Sequence, residues 1–283
     1  MKIFKVSFLV VIFSMVAVGQ DSLTLRDLTW DDSSPAGSVE LTMPSEGSLI
    51  QGLFYRANGK RKHPTLILLH GYPGNERNLD LAQVVRSQGW NAVFFDYRGS
   101  WGSQGKFSFE NSVQDVVNVV AYLEKNQDKL QVDTSNIVLF GHSMGGWVCL
   151  KALQRLSTVK KGFALSTWNI YSDFKNIKTK DKLFEKVRDP KAGLSYIVLN
   201  TPVEEIFSPV VENPTFYDLT NDANALASKQ VVMLDEHSNN KELADAIRRS
   251  NKAYFDYQVW KTDHGFTNKR VSLMNMVLGF LKR

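Results

Sequence analysis

The stretch most suited to chemistry in this 283-residue chain is F-G-H-S-M-G-G at residues 140–146. The apolar run just before it predicts a short buried strand, and the apolar spacing just after it predicts a helix. A G-x-S-x-G pattern between a strand and a helix is typical of a sharp turn that exposes a nucleophilic serine. Gly141 and Gly145 lack side chains and would let the strand and the helix approach each other. We therefore predict Ser143 as a nucleophile, with the Met144 backbone N–H facing developing negative charge.

Strands that alternate with helices must position this turn. The predicted strands cover residues 39–43, 49–55, 65–69, 91–95, 136–140, 162–166, 231–234 and 257–260. The predicted helices cover residues 79–88, 112–123, 146–153, 241–249 and 269–281, the last with Val271, Met274, Leu278 and Leu281 on one face. This alternation predicts an α/β fold, with a mostly parallel central sheet covered by helices on both faces.

Three motifs together resemble the α/β-hydrolase superfamily: G-H-S-M-G-G at residues 141–146, H-G-Y-P-G at 70–74 and D-H-G-F at 263–266. The stretch D-Y-R-G at 96–99, followed by two further glycines, is similar to small single-domain esterases and to the catalytic domain of prolyl-oligopeptidase-like enzymes. The resemblance spans about residues 38–282. It implies an α/β-hydrolase fold over residues 38–283, in which residues 167–229 form a short cap-like insertion.

The resemblance also implies the partners of Ser143. The superfamily order of nucleophile, acid and histidine favours His264 as the base, because it follows the last predicted strand on a late loop. Its imidazole would take the proton of the serine hydroxyl, which is otherwise a poor nucleophile. The oxyanion hole needs two N–H donors, which the resemblance assigns to the backbones of Met144 and Tyr72. Asp96 and Arg98 are expected to fix the geometry of their loop.

The chain departs from the superfamily pattern at the carboxylate that should orient the histidine. Related chains usually carry an aspartate a few residues after the seventh predicted strand, whereas this chain reads D-E-H-S-N-N at residues 235–240. We favour Asp235, the carboxylate at the end of that strand. By simple offset the usual aspartate falls on Asn239, which could act only as a neutral orienting group. Glu236 and Asp173 are the remaining alternatives.

Composition limits the classes of function. The chain is 43% hydrophobic and 22% charged, with a formal net charge of +5, which is too weak to indicate nucleic-acid binding. The single cysteine, Cys149, cannot form an intrachain disulfide and is predicted to lie in the core. Since the sequence has no metal-ligand spacing and no nucleotide-binding glycine pattern, we expect neither a cofactor nor a metal. The expected partner is a small-molecule ester or a short peptide.

The first 19 residues have the pattern of a secretory signal peptide. Lys2 and Lys5 precede an apolar run at 6–18, and A-V-G at 17–19 places small residues at positions −3 and −1 of a cleavage site. The run is short for a bilayer span, so we expect a secreted or periplasmic protein without stable membrane insertion after cleavage. The polar residues 20–37 are expected to form a flexible lead-in.

These features predict an exported serine hydrolase that cleaves a carboxylic ester through an acyl-enzyme. A small peptidase or amidase of the same fold is the alternative among enzymes. A non-catalytic binding protein that keeps the fold is the alternative from another class, and labelling by a fluorophosphonate would separate it from the enzymes.

Cleavage after Gly19 predicts a mature protein that begins at Gln20, because signal peptidases cut after small residues at these positions. The intact mass or the N-terminal sequence of exported material checks this expectation. A chain that still begins at Met1 in that fraction would contradict cleavage.

Overall fold

An eight-stranded sheet forms the centre of the chain. Its strands are β1 (Gly37–Ser45), β2 (Ser48–Arg56), β3 (His63–Leu69), β4 (Asn91–Phe95), β5 (Val132–His142), β6 (Lys161–Leu165), β7 (Gln230–Asp235) and β8 (Tyr254–Val259). The computed structural model that shows them describes residues 30–188 and 195–283. The predicted signal peptide at residues 1–19 lies outside the described residues and stays a prediction.

The strand order is β1-β2-β4-β3-β5-β6-β7-β8. The pairs β1–β2 and β2–β4 are antiparallel, and all other neighbouring pairs are parallel. The predicted mostly parallel sheet is therefore confirmed. Because the carboxyl ends of parallel strands meet at one edge of a sheet, the loops after β3, β5, β6, β7 and β8 converge there, which is where open α/β sheets bind ligands.

Helices cover both faces of this sheet. They are α1 (Leu79–Ser87), α2 (Phe109–Lys125), α3 (Met144–Arg155), α4 (Lys180–Val187), α5 (Val203–Glu212), α6 (Pro214–Tyr217), α7 (Lys241–Ser250) and α8 (Arg270–Leu281). Successive side chains of a strand point to opposite faces. Accordingly, Leu66 and Leu68 of β3 share a core with α1 and α8, whereas Ile67 and Leu69 share the other core with α2, α3 and α7. Within the two described ranges, no helix combines the length and apolar character needed to cross a membrane.

The inward face of α8 differs from the predicted one. Val271 is 50% exposed, whereas Leu273 and Val277 are fully buried against the sheet. Leu278 and Leu281 do face the core, as expected. The helix is apolar on most of its circumference, so the spacing of its apolar residues does not by itself define which side packs inward.

A helical insertion separates β6 from β7, in the stretch where we expected a cap-like segment. It contains α4, α5 and α6 together with several 3-10 turns. Ile206, Phe207 and Val210 on α5 are buried in the same core cluster as α2 and α3. The insertion is thus packed onto the sheet domain through an apolar helix face.

Part of the expected lead-in is bound to the rest of the domain. The Asn58 side chain accepts hydrogen bonds from the backbone N–H groups of Asp31 (3.0 Å) and Ala36 (3.3 Å). The Gly59 N–H donates to the carbonyl of Ser34 at 2.8 Å. Residues 31–36, which belong to the expected lead-in, therefore have hydrogen-bond partners in the loop after β2.

A buried ion pair joins the loop after β4 to α2. Arg98 Nε lies 2.5 Å from Asp115 Oδ1, and the Arg98 backbone N–H donates to Asp115 Oδ2 at 2.8 Å. The hydroxyl of Ser45 donates to the same carboxylate. The side chains of Arg98 and Asp115 are 8% and 0% exposed. Arg98 therefore fixes its loop, as expected, by pairing with Asp115.

Replacing Asp115 with asparagine should lower the free energy of unfolding by about 3–5 kcal/mol, because Arg98 would keep a buried charge without its partner. Urea unfolding followed by circular dichroism measures the change. Asp128→Asn is the matched control, since Asp128 pairs with Lys62 at 2.7 Å but is 89% exposed. That variant should stay within about 0.5 kcal/mol of wild type. Equal losses in the two variants would contradict the role assigned to Asp115.

Candidate active site

The turn around Ser143 is held in a strained conformation by close backbone packing. Ser143 lies between β5 and α3 with φ 59° and ψ −120°, which is unfavourable for a residue with a side chain. A Cβ atom on Gly141 would lie 1.9 Å from the carbonyl oxygen of Gly145. A Cβ atom on Gly145 would lie 2.0 Å from the carbonyl oxygen of Leu69. Both glycines are thus required for the strand and the helix to meet, as the sequence predicts.

Hydrogen bonds tie the backbone of Ser143 to the neighbouring strand. Its N–H donates to the carbonyl of Leu165 at 2.9 Å. Its own carbonyl accepts from the N–H groups of Gly146 (2.9 Å) and Trp168 (3.1 Å). The serine is therefore fixed between the end of β6 and the start of α3.

His264 and Glu236 form a pair at the edge of the sheet where the parallel strands end. His264 Nδ1 is 2.8 Å from Glu236 Oε1. Because a carboxylate only accepts hydrogen bonds, Nδ1 carries the proton, which leaves Nε2 as the ring nitrogen able to accept one. The hydrogen bond that His264 donates to Glu236 raises the pKa of His264 against the opposing effect of partial burial. Burial disfavours the ionised form of Glu236, but hydrogen bonds from His264 and Ser166 outweigh it and lower its pKa to about 2.

His142 links this pair to the Ser143 turn. Its Nε2–H donates to the backbone carbonyl of His264 at 2.9 Å, and the centroids of the two rings are 4.8 Å apart. Burial, followed by the nearby charge of His264, lowers the pKa of His142 to about 4, so this ring is neutral at pH 7. The imidazole of His264 is therefore held against the residue that precedes Ser143.

The carboxylate that contacts His264 in this structure is Glu236 and not the predicted Asp235. Asp235 is fully buried and accepts hydrogen bonds from the Thr167 N–H (3.2 Å) and from Asn240 Nδ2 (3.1 Å). Burial raises its pKa to about 6. Successive residues at the end of a strand point in opposite directions. Asp235 therefore faces inward, and Glu236 faces the histidine.

The other two alternatives for the acid have different partners. Asp173 Oδ2 accepts a hydrogen bond from Trp168 Nε1 at 2.7 Å, within the helical insertion. Asn239 lies on an exposed 3-10 turn, where its N–H contacts His237 Nδ1 at 3.4 Å. Of the four candidates, Glu236 is the one that contacts His264.

The loop after β3 runs along the Ser143 turn and carries Tyr72. A Cβ atom on Gly71 would lie 3.1 Å from Ser143 Cβ, so the backbone beside Tyr72 approaches the serine closely. Met144 is the first residue of α3. The two segments expected to supply oxyanion donors therefore both adjoin Ser143.

Side chains behind the Tyr72 loop support its shape. His70 Nδ1 donates to the Gly71 carbonyl at 2.7 Å, and Trp101 Nε1 donates to the Pro73 carbonyl at 2.7 Å. Burial lowers the pKa of His70 to about 4, so it acts here as a neutral donor. Asp96 lies behind the same loop, 3.3 Å from the guanidinium of Arg77.

Aromatic side chains separate into core residues and residues beside the serine. Trp147 and Phe107 are buried, and Trp147 Nε1 donates to the carbonyl of Tyr217 at 3.1 Å. Tyr72 and Trp168 are only partly buried, with ring centroids 6.3 Å apart. The backbone at Gly71, before Tyr72, and the backbone of Trp168 both adjoin the Ser143 turn.

Sequence reasoning missed Ser166. This residue follows β6, and its hydroxyl contacts Glu236 Oε2 and lies 3.1 Å from His264 Nδ1. The residue type alone carries no signal for such a position. Within the described ranges, no group of three or more histidine, cysteine, aspartate or glutamate side chains is arranged to hold a metal ion.

The fold and the Ser143 turn define an α/β-hydrolase with a serine at its nucleophile position. The chain belongs to the serine aminopeptidase S33 family (Hydrolase_4), whose family model matches residues 60–232. This family lies within the α/β-hydrolase superfamily that the motifs predict.

Similar proteins agree with this class. The chain is 26% identical over 132 residues to a lysophosphatidylserine lipase, ABHD12, of Danio rerio; the match covers 46% of this chain and only 33% of that lipase. Its fold is similar to the Pyrococcus furiosus esterase Pf2001, with TM-score 0.61, 21% identity and coverage of 91% of this chain and 98% of that one. It is also similar to an acylaminoacyl peptidase of Pyrococcus horikoshii, with TM-score 0.63, 16% identity and coverage of 88% and 41%.

Replacing Glu236 with glutamine should lower the pKa of His264, because the carboxylate charge that stabilises the imidazolium is removed. In wild type the midpoint of the His264 titration should lie above 6.5, the ordinary pKa of histidine. An NMR titration of the imidazole, assigned with a His264→Ala variant, measures it. Asp235→Asn is the matched control and should move the midpoint less. A larger decrease in Asp235→Asn would restore Asp235 as the electrostatic partner.

Proposed function

We propose that this protein hydrolyses carboxylic esters through an acyl-enzyme on Ser143, with His264 as the base and Glu236 as its acid. The observation that carries the proposal is the hydrogen bond between Glu236 Oε1 and His264 Nδ1, beside a serine in a strained turn. A nucleophile, a base and a group that orients the base are the three parts that activation of a serine requires.

The proposed reaction proceeds in two steps. Nε2 of His264 takes the hydroxyl proton of Ser143 while the oxygen attacks the ester carbonyl, and the N–H groups of Met144 and Tyr72 stabilise the oxyanion. Collapse of this intermediate expels the alcohol, which leaves with the proton from His264. Water, deprotonated by His264, then attacks the acyl-enzyme, and the acid is released as His264 returns that proton to the Ser143 oxygen. Glu236 stays ionised and stabilises the imidazolium in both steps, in keeping with its lowered pKa.

The surroundings of Ser143 favour an apolar acyl group. The Trp168 backbone N–H donates to the Ser143 carbonyl, so Trp168 lies beside the turn that carries the proposed nucleophile. Phe109 and Phe207 are buried against Trp168 and Tyr72, with ring centroids 5.7–6.3 Å from these two rings. Apolar and aromatic walls with few polar groups are usual in small-molecule sites. The lipase and esterase names of similar proteins support the same substrate class.

Export remains part of the proposal and rests on residues 1–19.

Cleavage of a short peptide or an amide is the second candidate. It is supported by the description of the family as serine aminopeptidases and by the similar fold of an acylaminoacyl peptidase. The same three side chains would perform the attack, with an amine in place of the alcohol as leaving group. Relative rates on p-nitrophenyl esters and aminoacyl p-nitroanilides therefore distinguish the two substrate classes.

Replacing Ser143 with alanine should reduce ester hydrolysis by a factor on the order of 10⁴ or more, because the attacking atom is removed. The assay is release of p-nitrophenol from short acyl esters, with folding checked by circular dichroism. Ser172→Ala is the matched control: its hydroxyl only bonds the Asn169 carbonyl within the insertion, at 2.7 Å. That variant should keep the wild-type rate. Near-normal turnover by Ser143→Ala would refute the mechanism.

A further inference from the structure

Ser166 occupies an unusual position between the ends of two strands. It follows β6 directly, and its N–H donates to the carbonyl of Leu234 on β7 at 2.7 Å. Its φ is 49°, in the left-handed region that residues with side chains rarely adopt. The residue is buried, with 5% of its surface exposed. The backbone at this point is therefore strained, and it directs a serine hydroxyl into the site.

The hydroxyl of Ser166 contacts both members of the Glu236–His264 pair. Because a carboxylate cannot donate, the Ser166 O–H donates to Glu236 Oε2. The serine oxygen then faces the protonated His264 Nδ1 at 3.1 Å as a second acceptor, beside Glu236 Oε1 at 2.8 Å. Each oxygen of the carboxylate thus has its own donor, and the three side chains form a closed ring of hydrogen bonds.

This ring restricts the carboxylate of Glu236. A glutamate has three rotatable side-chain bonds, and a single hydrogen bond to an exposed histidine would leave the carboxylate able to turn away. The imidazole of His264 is 58% exposed, so packing does little to hold it. The donor on Oε2 fixes the second oxygen and leaves Oε1 directed at Nδ1. The same hydrogen bond helps to keep Glu236 ionised, since it lowers the pKa of the carboxyl group.

We propose that Ser166 is a positioning residue, whose hydroxyl holds the Glu236 carboxylate so that Oε1 faces His264 Nδ1. The proposal rests on the proposed function only in assuming that this pair serves Ser143. Ser166 itself is expected to touch no substrate atom, because it lies on the Nδ1 side of the imidazole.

Two substitutions separate positioning from a merely structural role. Ser166→Ala removes the hydroxyl and keeps the backbone strain. Ser166→Gly also removes the hydroxyl but relieves the strain, because glycine adopts a positive φ readily. If the serine only shaped the backbone, the glycine variant would work at least as well as wild type. If the hydroxyl positions Glu236, both variants lose activity together.

We expect kcat for p-nitrophenyl acetate to fall about 10- to 100-fold in both variants, as for a misplaced catalytic group. KM should change by less than about twofold, because ground-state binding is untouched. The acid limb of the pH dependence of kcat/KM should move to lower pH, since a looser carboxylate stabilises the imidazolium less. Ser172→Ala should leave all three quantities at their wild-type values.

A measurement without substrate keeps this test separate from the proposed function. The Nδ1 proton of His264, held by Glu236, should give a resolved downfield NMR resonance that disappears in His264→Ala. In Ser166→Ala and Ser166→Gly it should broaden or shift upfield, and in Ser172→Ala it should not change. If wild type hydrolyses no ester, the proposed function fails, and this resonance alone decides the role of Ser166. A wild-type kcat in Ser166→Gly, or an unchanged resonance in both variants, would overturn the proposal.

Discussion

The contact between the backbone of Gly145 and the carbonyl of Leu69 is the constraint on which the site depends. No side chain fits at Gly145 or at Gly141, where the added carbon would lie 2.0 Å and 1.9 Å from carbonyl oxygens. This close approach lets α3 begin directly after β5 and forces Ser143 to a positive φ. The buried apolar faces of β3, β5 and α3 supply the packing that maintains the strain. A less tightly packed sheet would let the turn relax and withdraw the hydroxyl from the edge.

The parallel pairing of β6, β7 and β8 brings Ser166, Glu236 and His264 to the edge of the sheet at which Ser143 lies. Leu165 of β6 pairs with Leu234 of β7, and Asp235 pairs with Val259 of β8. Ser166, Glu236 and His264 each follow one of these strands, so their side chains meet although 98 residues separate the first from the last. The proposed site is thus assembled from strand ends, and the neutral ring of His142 connects it to the Ser143 turn.

Local motifs allowed the sheet, the Ser143 turn and the place of His264 in the chain to be predicted from sequence. The choice between Asp235 and Glu236 could not be made in this way, because it depends on which of two adjacent carboxylates points outward where the strand ends. Ser166 could not be predicted because its contacts exist only when three strands lie side by side. The inward face of α8 was ambiguous for a simpler reason: Val271 and Leu273 are both apolar, and only tertiary packing distinguishes them.

The rate at which a fluorophosphonate phosphonylates the protein shows whether Glu236 and His264 activate Ser143. This reaction needs the nucleophile and its base but no particular ester. Mass spectrometry should locate the adduct on Ser143, and Glu236→Gln should slow its formation by about 10²- to 10⁴-fold. Folded Asp235→Asn should react at close to the wild-type rate. Equal rates in wild type and Glu236→Gln, or a slower reaction in Asp235→Asn than in Glu236→Gln, would mean that Glu236 is not the acid that supports His264.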